Sequence, residues 1–266
     1  MAKRSRDAPR GAILAFERRA VLRKLLGDEP ILTVEDLTRR FGVSAQTIRR
    51  DLHDLEASGV VTRAHGGAVA TNNLLGHEAA FKIRQAEHAE RKSAIAQLAF
   101  QYVVPGFTAI MDASTTVLAF AQALPLDIAF GAVVNSLPLA LELSRRPNVS
   151  LTTIGGNVRG TSLSASGPFA ETMLRRIYAD VAFISVRGIS RARGLTEANP
   201  AESSLKEIML ANATRVVALV DSSKLGRTSF SFFAPLDAID VLVTDSDAPA
   251  EIVDDMRAAG IEVRLA

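Results

Sequence analysis

The sequence predicts an α/β chain in two parts: a small helical module that closes with a β-hairpin, then a larger domain on a mostly parallel sheet. Three observations carry this. Residues 33–59 hold two capped apolar stripes either side of a tight turn. From about residue 91, short apolar strands alternate with helical stretches of 10–15 residues, the pattern of a sheet covered on both faces. The charge is uneven: residues 1–70 hold 13 Lys and Arg against 9 Asp and Glu, and the other 196 hold 18 against 20.

Residues 1–10 are polar and are expected to form a flexible basic tail, in which Lys3, Arg4, Arg6 and Arg10 either reach phosphate or simply solubilise the chain. Phe16–Leu26 should be the first helix, with apolar residues at 21, 22, 25 and 26, and Gly27-Asp-Glu-Pro30 should end it. Thr33 can cap a second helix, with Asp36 completing an approximate capping box. Gly42 suits the turn in Phe41-Gly42-Val43. Ser44 is a good N-cap for a third helix, and Gly59 stands where that helix should stop.

The third helix sorts its residues by face. Ile48, Leu52 and Leu55 share a buried stripe, with Leu37, Phe41 and Val43 as partners. The opposite face carries Ala45, Gln46, Thr47, Arg49, Arg50 and His53. Short residues and an amide near a helix N-terminus, followed by guanidinium groups, suit the major groove of duplex DNA. Gln can pair with an adenine edge, Arg with guanine or phosphate. The bland alternative is a helical hairpin with solvated arginines. Val60–Ala70 should be two short strands that aim Arg63 and His65 at DNA, although His65 could instead cap a turn.

Val43-Ser-Ala-Gln-Thr-Ile-Arg-Arg-Asp-Leu52, with His65-Gly-Gly67, resembles the DeoR-type family of bacterial transcriptional repressors. The resemblance implies a winged helix-turn-helix joined to a C-terminal sugar-phosphate sensor. It implies DNA contacts from Ser44, Gln46, Thr47, Arg49, Arg50, Arg63 and His65. The DNA-binding module is then expected over residues 1–74, a linker over 75–90 and the sensor over 91–266.

In the second part, strands are expected at Thr108–Met111, Ile128–Val134, Ser150–Ile154, Val181–Val186, Val216–Val220 and Val241–Thr244. Helices are expected at 91–102, 115–123, 137–145, 168–178, 200–212 and 248–259. Parallel sheets place ligands beyond the carboxyl ends of their strands. Asp112-Ala-Ser-Thr-Thr116 opens a helix with three hydroxyls, which suits either an anion or a plain N-cap. Gly155-Gly156 with Arg159, Arg187-Gly188, Gly194-Leu-Thr-Glu197 and the Lys224 loop follow later strands. Each reads equally as turn chemistry, but all fall at one rim.

The order Asp-x-x-Thr-Thr, Gly-Gly-x-x-Arg, Gly167-Pro168, Gly-Leu-Thr-Glu, Asp-Ser-Ser-Lys-x-Gly and Val243-Thr-Asp245 is similar to the DeoR-type sensor along its length. That domain is related in fold to ribose-5-phosphate isomerase and glucosamine-phosphate deaminase. The resemblance implies that Ser114, Thr115 and Thr116 hold phosphate with help from Lys224, and that Asp112, Gly155, Gly156 and Glu197 line the sugar. Arg187 departs from the family, which usually has small residues before this glycine. It either reads a second phosphate or carboxylate or narrows the pocket. Phe230, Phe232 and Phe233 suggest core or subunit packing, with a ligand lid as the alternative.

The sequence has no Cys, so disulfides and thiolate metal sites are excluded. Gly11–Phe16 is too short for a signal peptide, and no stretch approaches the length of a membrane span. These readings point to a cytoplasmic transcription factor without cofactor or metal. Its expected partners are operator DNA, a phosphorylated sugar and, as a homodimer or larger even assembly, itself. The competing readings are a sugar-phosphate isomerase with a DNA-binding appendage, and a protein-interaction adaptor. Against the enzyme, no carboxylate pair is placed by spacing for proton transfer.

Overall fold

The computed structural model describes residues 15–28, 31–57, 61–64, 67–70 and 81–266. The chain divides into two compact units, Met1–Ala80 and Phe81–Ala266. The basic tail, Gly59, His65 and 71–80 lie outside the described residues, as does the side chain of Arg63.

In the first unit, α1 (Ala15–Asp28), α2 (Val34–Phe41) and α3 (Ala45–Ala57) pack beside a three-stranded antiparallel sheet of order β1 (Ile31–Thr33), β3 (Gly67–Ala70), β2 (Val61–Ala64). The expected hairpin is β2–β3, with Ala64 opposite Gly67. The third strand, β1, lay unread before the Thr33 cap. Gly67 is required there: a Cβ would stand 2.3 Å from the Leu32 carbonyl, so only glycine lets the strands close. Leu22, Leu37, Ile48, Leu52 and Leu55 form the buried core. Arg18 pairs with Asp51 and Arg19 with Asp54, tying α1 to α3; the first pair is buried.

The second unit is a seven-stranded sheet, entirely parallel, with order β15-β14-β12-β9-β4-β5-β6. Its strands are β4 (Thr108–Met111), β5 (Phe130–Val134), β6 (Val149–Thr153), β9 (Ala179–Ile184), β12 (Ala213–Leu219), β14 (Val241–Thr244) and β15 (Glu262–Leu265). The expected strands recur within three residues at each end; the edge strand β15 was not foreseen. Alternate residues face opposite sides, the period of a strand. Val181 and Phe183 join one core with Ile95, Phe120 and Leu139, while Ala182 and Ile184 join the other with Leu174, Leu205 and Met209. The first core is covered by α5 (Ala89–Ala99), α6 (Thr115–Ala123) and α7 (Leu137–Leu143). The second takes residues from α8 (Pro168–Leu174), α9 (Pro200–Ala211) and α10 (Ala250–Ala258).

Two small antiparallel additions sit on this frame: the hairpin β7 (Asn157–Arg159) and β8 (Ser164–Ser166), and the sheet β10 (Gly188–Ser190), β11 (Gly194–Glu197), β13 (Ser231–Ala234). Residues 81–90, expected to be linker, belong to the compact unit. They hold α4 (81–86) and the start of α5, and Phe81 is buried in the core with Ile95 and Phe107.

Candidate functional site

After β4 the chain winds to one side of the sheet, through β5 and β6. From β9 it winds to the other, through β12, β14 and β15. The β4–β9 seam is therefore a topological switch point, where the loops above the strand ends diverge and leave a crevice. A cavity lies there, with ≈ 80 Å³ open to the centre of a water molecule. That is room for roughly five to eight waters, the scale of a small polar metabolite. Its walls come from the ends of β4, β5, β9 and β12, from β11 and α9, and from the 84–92 segment.

The floor of the seam is ionic. The Asp112 carboxylate accepts the backbone N–H of Ser114 at 3.1 Å and that of Ser185 at 2.9 Å. Lys206 Nζ stands 2.8 Å from Asp112 Oδ2 and 2.7 Å from Glu197 Oε1, and donates to the Ser185 carbonyl at 2.5 Å. All three side chains are buried. Burial alone would push Lys206 down, but the carboxylates of Asp112 and Glu197 outweigh it and hold the ammonium above the ordinary lysine range. A carboxylate pair does converge here, through a lysine that sequence reading passed over. Lys206 sits mid-helix in Ser-Leu-Lys-Glu-Ile, where a lysine ordinarily means a solvated face.

Around this floor stand most of the expected effector residues: Ser114, Thr115, Thr116, Arg187, Glu197 and Lys224 all line the cavity. Ser114 is also the N-cap of α6, its hydroxyl accepting the N–H of Val117 at 3.1 Å. The cap and anion readings are compatible, because the hydroxyl proton and the backbone N–H groups of the first turn still face out. Asp112 works behind the wall, as described. Gly155 and Gly156 do not line the cavity. They follow β6, the sheet edge farthest from the seam on that side, and a Cβ on Gly156 would stand 2.7 Å from the Ser166 carbonyl. Gly156 serves close packing of the β7–β8 hairpin. Arg159 is engaged by Glu202 at 3.2 Å; Ser162 and Ser164 donate to the same carboxylate at 2.6 and 2.7 Å. Burial would raise Glu202, but these hydrogen bonds and Arg159 hold it below the ordinary carboxylate value.

Sequence reading missed three lining residues in the presumed linker, Arg84, Glu87 and His88, and a fourth, Lys92, just beyond it in the expected 91–102 helix. Lys92 is buried, and its ammonium donates to the carbonyls of Arg84 and Glu87. Burial first, then Lys224 and Arg84, push it down to about 8 against the pull of Asp221 and Glu87. Arg84 bonds the Thr161 carbonyl and lies 5.8 Å over the Phe81 ring. Burial, then Arg187 and Arg159, push it down to about 10, opposed by Glu202 and Glu197. Asn135, at the end of β5, also lines the cavity; its Oδ1 has no hydrogen-bond donor among the described residues. Phe233 is core, whereas Phe230 and Phe232 are exposed.

In the first unit, the Thr33 hydroxyl accepts the Asp36 N–H at 3.0 Å and donates to its carboxylate at 2.7 Å. Gly42 ends α2 in the left-handed region, φ 64°, its N–H donating to Thr38 O. Ser44 accepts the Thr47 N–H at 3.2 Å. Leu37 and Ile48 are fully buried while Gln46, Arg49, Arg50 and His53 are exposed and Thr47 half-buried. The face sorting read from the sequence is present in the fold except at Ala45, which is half-buried against the core.

The model of the DeoR-like helix-turn-helix domain matches residues 18–73, and that of the DeoR C terminal sensor domain matches 87–246. The chain belongs to the DeoR family. It is 36% identical to the HTH-type transcriptional regulator GlpR of Haloferax volcanii, over 94% of this chain and 98% of that protein. It is 35% identical to the HTH-type transcriptional regulator GolR of Listeria innocua, over 94% and 98%. The putative aga operon transcriptional repressor of Escherichia coli O157:H7 is 32% identical, over 94% and 93%. Like the DeoR-family relatives it matches, this chain is a DNA-binding transcriptional regulator; they do not favour the enzyme reading. The ribose 5-phosphate isomerase A of Methanocaldococcus jannaschii aligns over 52% of this chain and 54% of its own, at 18% identity and TM-score 0.38, a likeness that carries no weight for activity. No helix among the described residues is long and apolar enough to cross a membrane.

Proposed function

We propose that this DeoR-family member is a cytoplasmic repressor of a sugar-metabolism operon, relieved when a phosphorylated sugar occupies the cavity at the β4–β9 seam. The observation that carries the effector reading is the cavity itself. It joins the first turn of α6 to two cations, Arg187 and Lys224, that make no ion pair among the described residues. The first turn supplies N–H groups and partial positive charge, and Lys224 a point charge. Glu197 and Asn135 offer acceptors to sugar hydroxyls. The relatives' names point the same way, one being called an aga operon repressor.

On DNA, the exposed face of α3 is the reading surface, with Ser44, Gln46, Thr47, Arg49 and Arg50 nearest the groove and Arg63 and His65 on the wing. A homodimer, or a larger even assembly, would present two such helices to two half-sites. Effector and operator favour different conformations, so each weakens the other's binding.

The test uses the full chain and the DNA upstream of its own gene. Binding should weaken steeply with added salt, and a panel of sugar phosphates should contain a member that releases the DNA. Binding that no panel member alters would remove the sensor reading while leaving the regulator in place.

A further inference from the structure

Arg84 and Arg187 both face the seam cavity, and neither makes an ion pair among the described residues. The two acids that act on Arg84 are committed elsewhere. Glu202 is held by Arg159, Ser162 and Ser164. Glu197 is held by Lys206 at 2.7 Å and by the Ala198 N–H at 3.1 Å. Arg84 is fixed by the Thr161 carbonyl and the Phe81 ring, so it cannot swing out to solvent without losing both. Two guanidinium groups facing one partly buried space, neither in an ion pair among the described residues, form a costly arrangement. Such arrangements gather where a ligand completes them.

The arginines and Lys224 reach the cavity from different sides. The Arg84 guanidinium is anchored at the Thr161 carbonyl, in the β7–β8 turn that is bridged to the end of β5, whereas Lys224 follows β12 on the other side of the seam. The cations thus fall into two groups. One is Lys224 with Lys92, in the same cavity as the first turn of α6. The other is Arg84 with Arg187, whose planar forks suit an oxyanion held by paired hydrogen bonds. The buried, unpartnered Asn135 Oδ1 in the same wall awaits a hydroxyl donor.

Resting on the sensor reading above, we infer that the effector is doubly anionic: a sugar phosphate with a second phosphate or a carboxylate, held by Arg84 and Arg187. A charged hydrogen-bonded contact of this kind changes affinity by about 10- to 100-fold.

The experiment is calorimetry on the full chain with matched probes: glucose 6-phosphate against 6-phosphogluconate, and fructose 6-phosphate against fructose 1,6-bisphosphate. The first pair adds a carboxylate and the second a phosphate, so the preferred pair identifies the group. Wild type should prefer the doubly charged member by about 10- to 100-fold. R187M should erase that preference, the doubly charged member losing more than the singly charged one, whereas K224M should weaken both alike. Inorganic phosphate gives a readout independent of sugar stereochemistry: two sites per chain in wild type, one in R187M. The inference is overturned if wild type shows no preference and a single phosphate site, or if R187M weakens both members equally. The latter would put one phosphate on the arginines. A wild type that binds no sugar phosphate and no inorganic phosphate would remove the sensor reading itself, a distinct result.

Discussion

The backbone N–H of Ser185, at the end of β9, donates to Oδ2 of Asp112, at the end of β4, across 2.9 Å. That bond crosses the seam where the two halves of the sheet diverge. It aligns the α6 loop with the loop bearing Arg187, and Lys206 closes the same carboxylate from α9.

Removing Lys206 should therefore unsettle the whole seam. Lys206→Met leaves two buried carboxylates facing each other without a cation, which costs about 3–5 kcal/mol. For a unit of this size the melting temperature should fall by roughly 6–20 °C. Adding Asp112→Asn and Glu197→Gln should restore much of the loss. A single variant that melts like wild type would show that the triad contributes nothing to the fold.

Ser114 and Thr115 are adjacent but should behave differently. Ser114→Ala removes the cap bond to Val117, costing about 1 kcal/mol as well as effector affinity. Thr115 contributes no cap bond, so Thr115→Ala should melt normally yet need more effector to release DNA. Release of the Thr115 variant at the wild-type effector concentration would misplace the ligand.

Lys92 should make the proposed effector response depend on pH. Its pKa is pushed down to about 8 from the ordinary 10.5. Above pH 8 the cavity loses a positive charge while a sugar phosphate keeps both of its own. Effector affinity should fall between pH 7 and 9, with the inflection near 8, and Lys92→Met should flatten the profile. The stability sign runs the other way. Burying the charged form works against the fold below about 8, so stability rises as pH climbs from there towards 10.5. Titration calorimetry across this range, paired with thermal melts, checks both signs.

On α3, the two faces should separate stability from recognition. Arg50→Ala should lower operator affinity by about 10- to 100-fold, the loss of one good contact, with an unchanged melt. Ile48→Ala opens the core against Leu37 and should cost about 2–5 kcal/mol, lowering DNA binding only through unfolding. Operator affinity that survives Arg50→Ala would move the reading surface off this helix.

Much of the architecture was legible beforehand because local rules fix it. The caps at Thr33, Gly42 and Ser44 satisfy backbone groups within a few residues, and Leu37, Ile48, Leu52 and Leu55 are buried, with Phe41 and Val43 half-buried against them. The strands of the parallel sheet read as continuous apolar runs because both faces are covered. The edge strands β1 and β15 escaped notice, being short and only partly covered. At the cavity, the residues that strand ends place directly were readable: Ser114, Thr115, Thr116, Arg187, Glu197 and Lys224.

By itself, then, the sequence determined the two-faced third helix, the alternation that builds a parallel sheet, and the rim on which polar groups gather, since each depends on spacing along one stretch of chain. Only the tertiary structure decided which of those groups meet. Strand order put the glycine pair after β6 out of reach, and packing brought in Arg84 from what read as a linker and Lys92 from the helix after it. It buried Lys206 between Asp112 and Glu197, residues 94 and 9 positions away in the chain. Coulomb forces act through space, and no spacing rule reports which distant side chains a fold will set 3 Å apart.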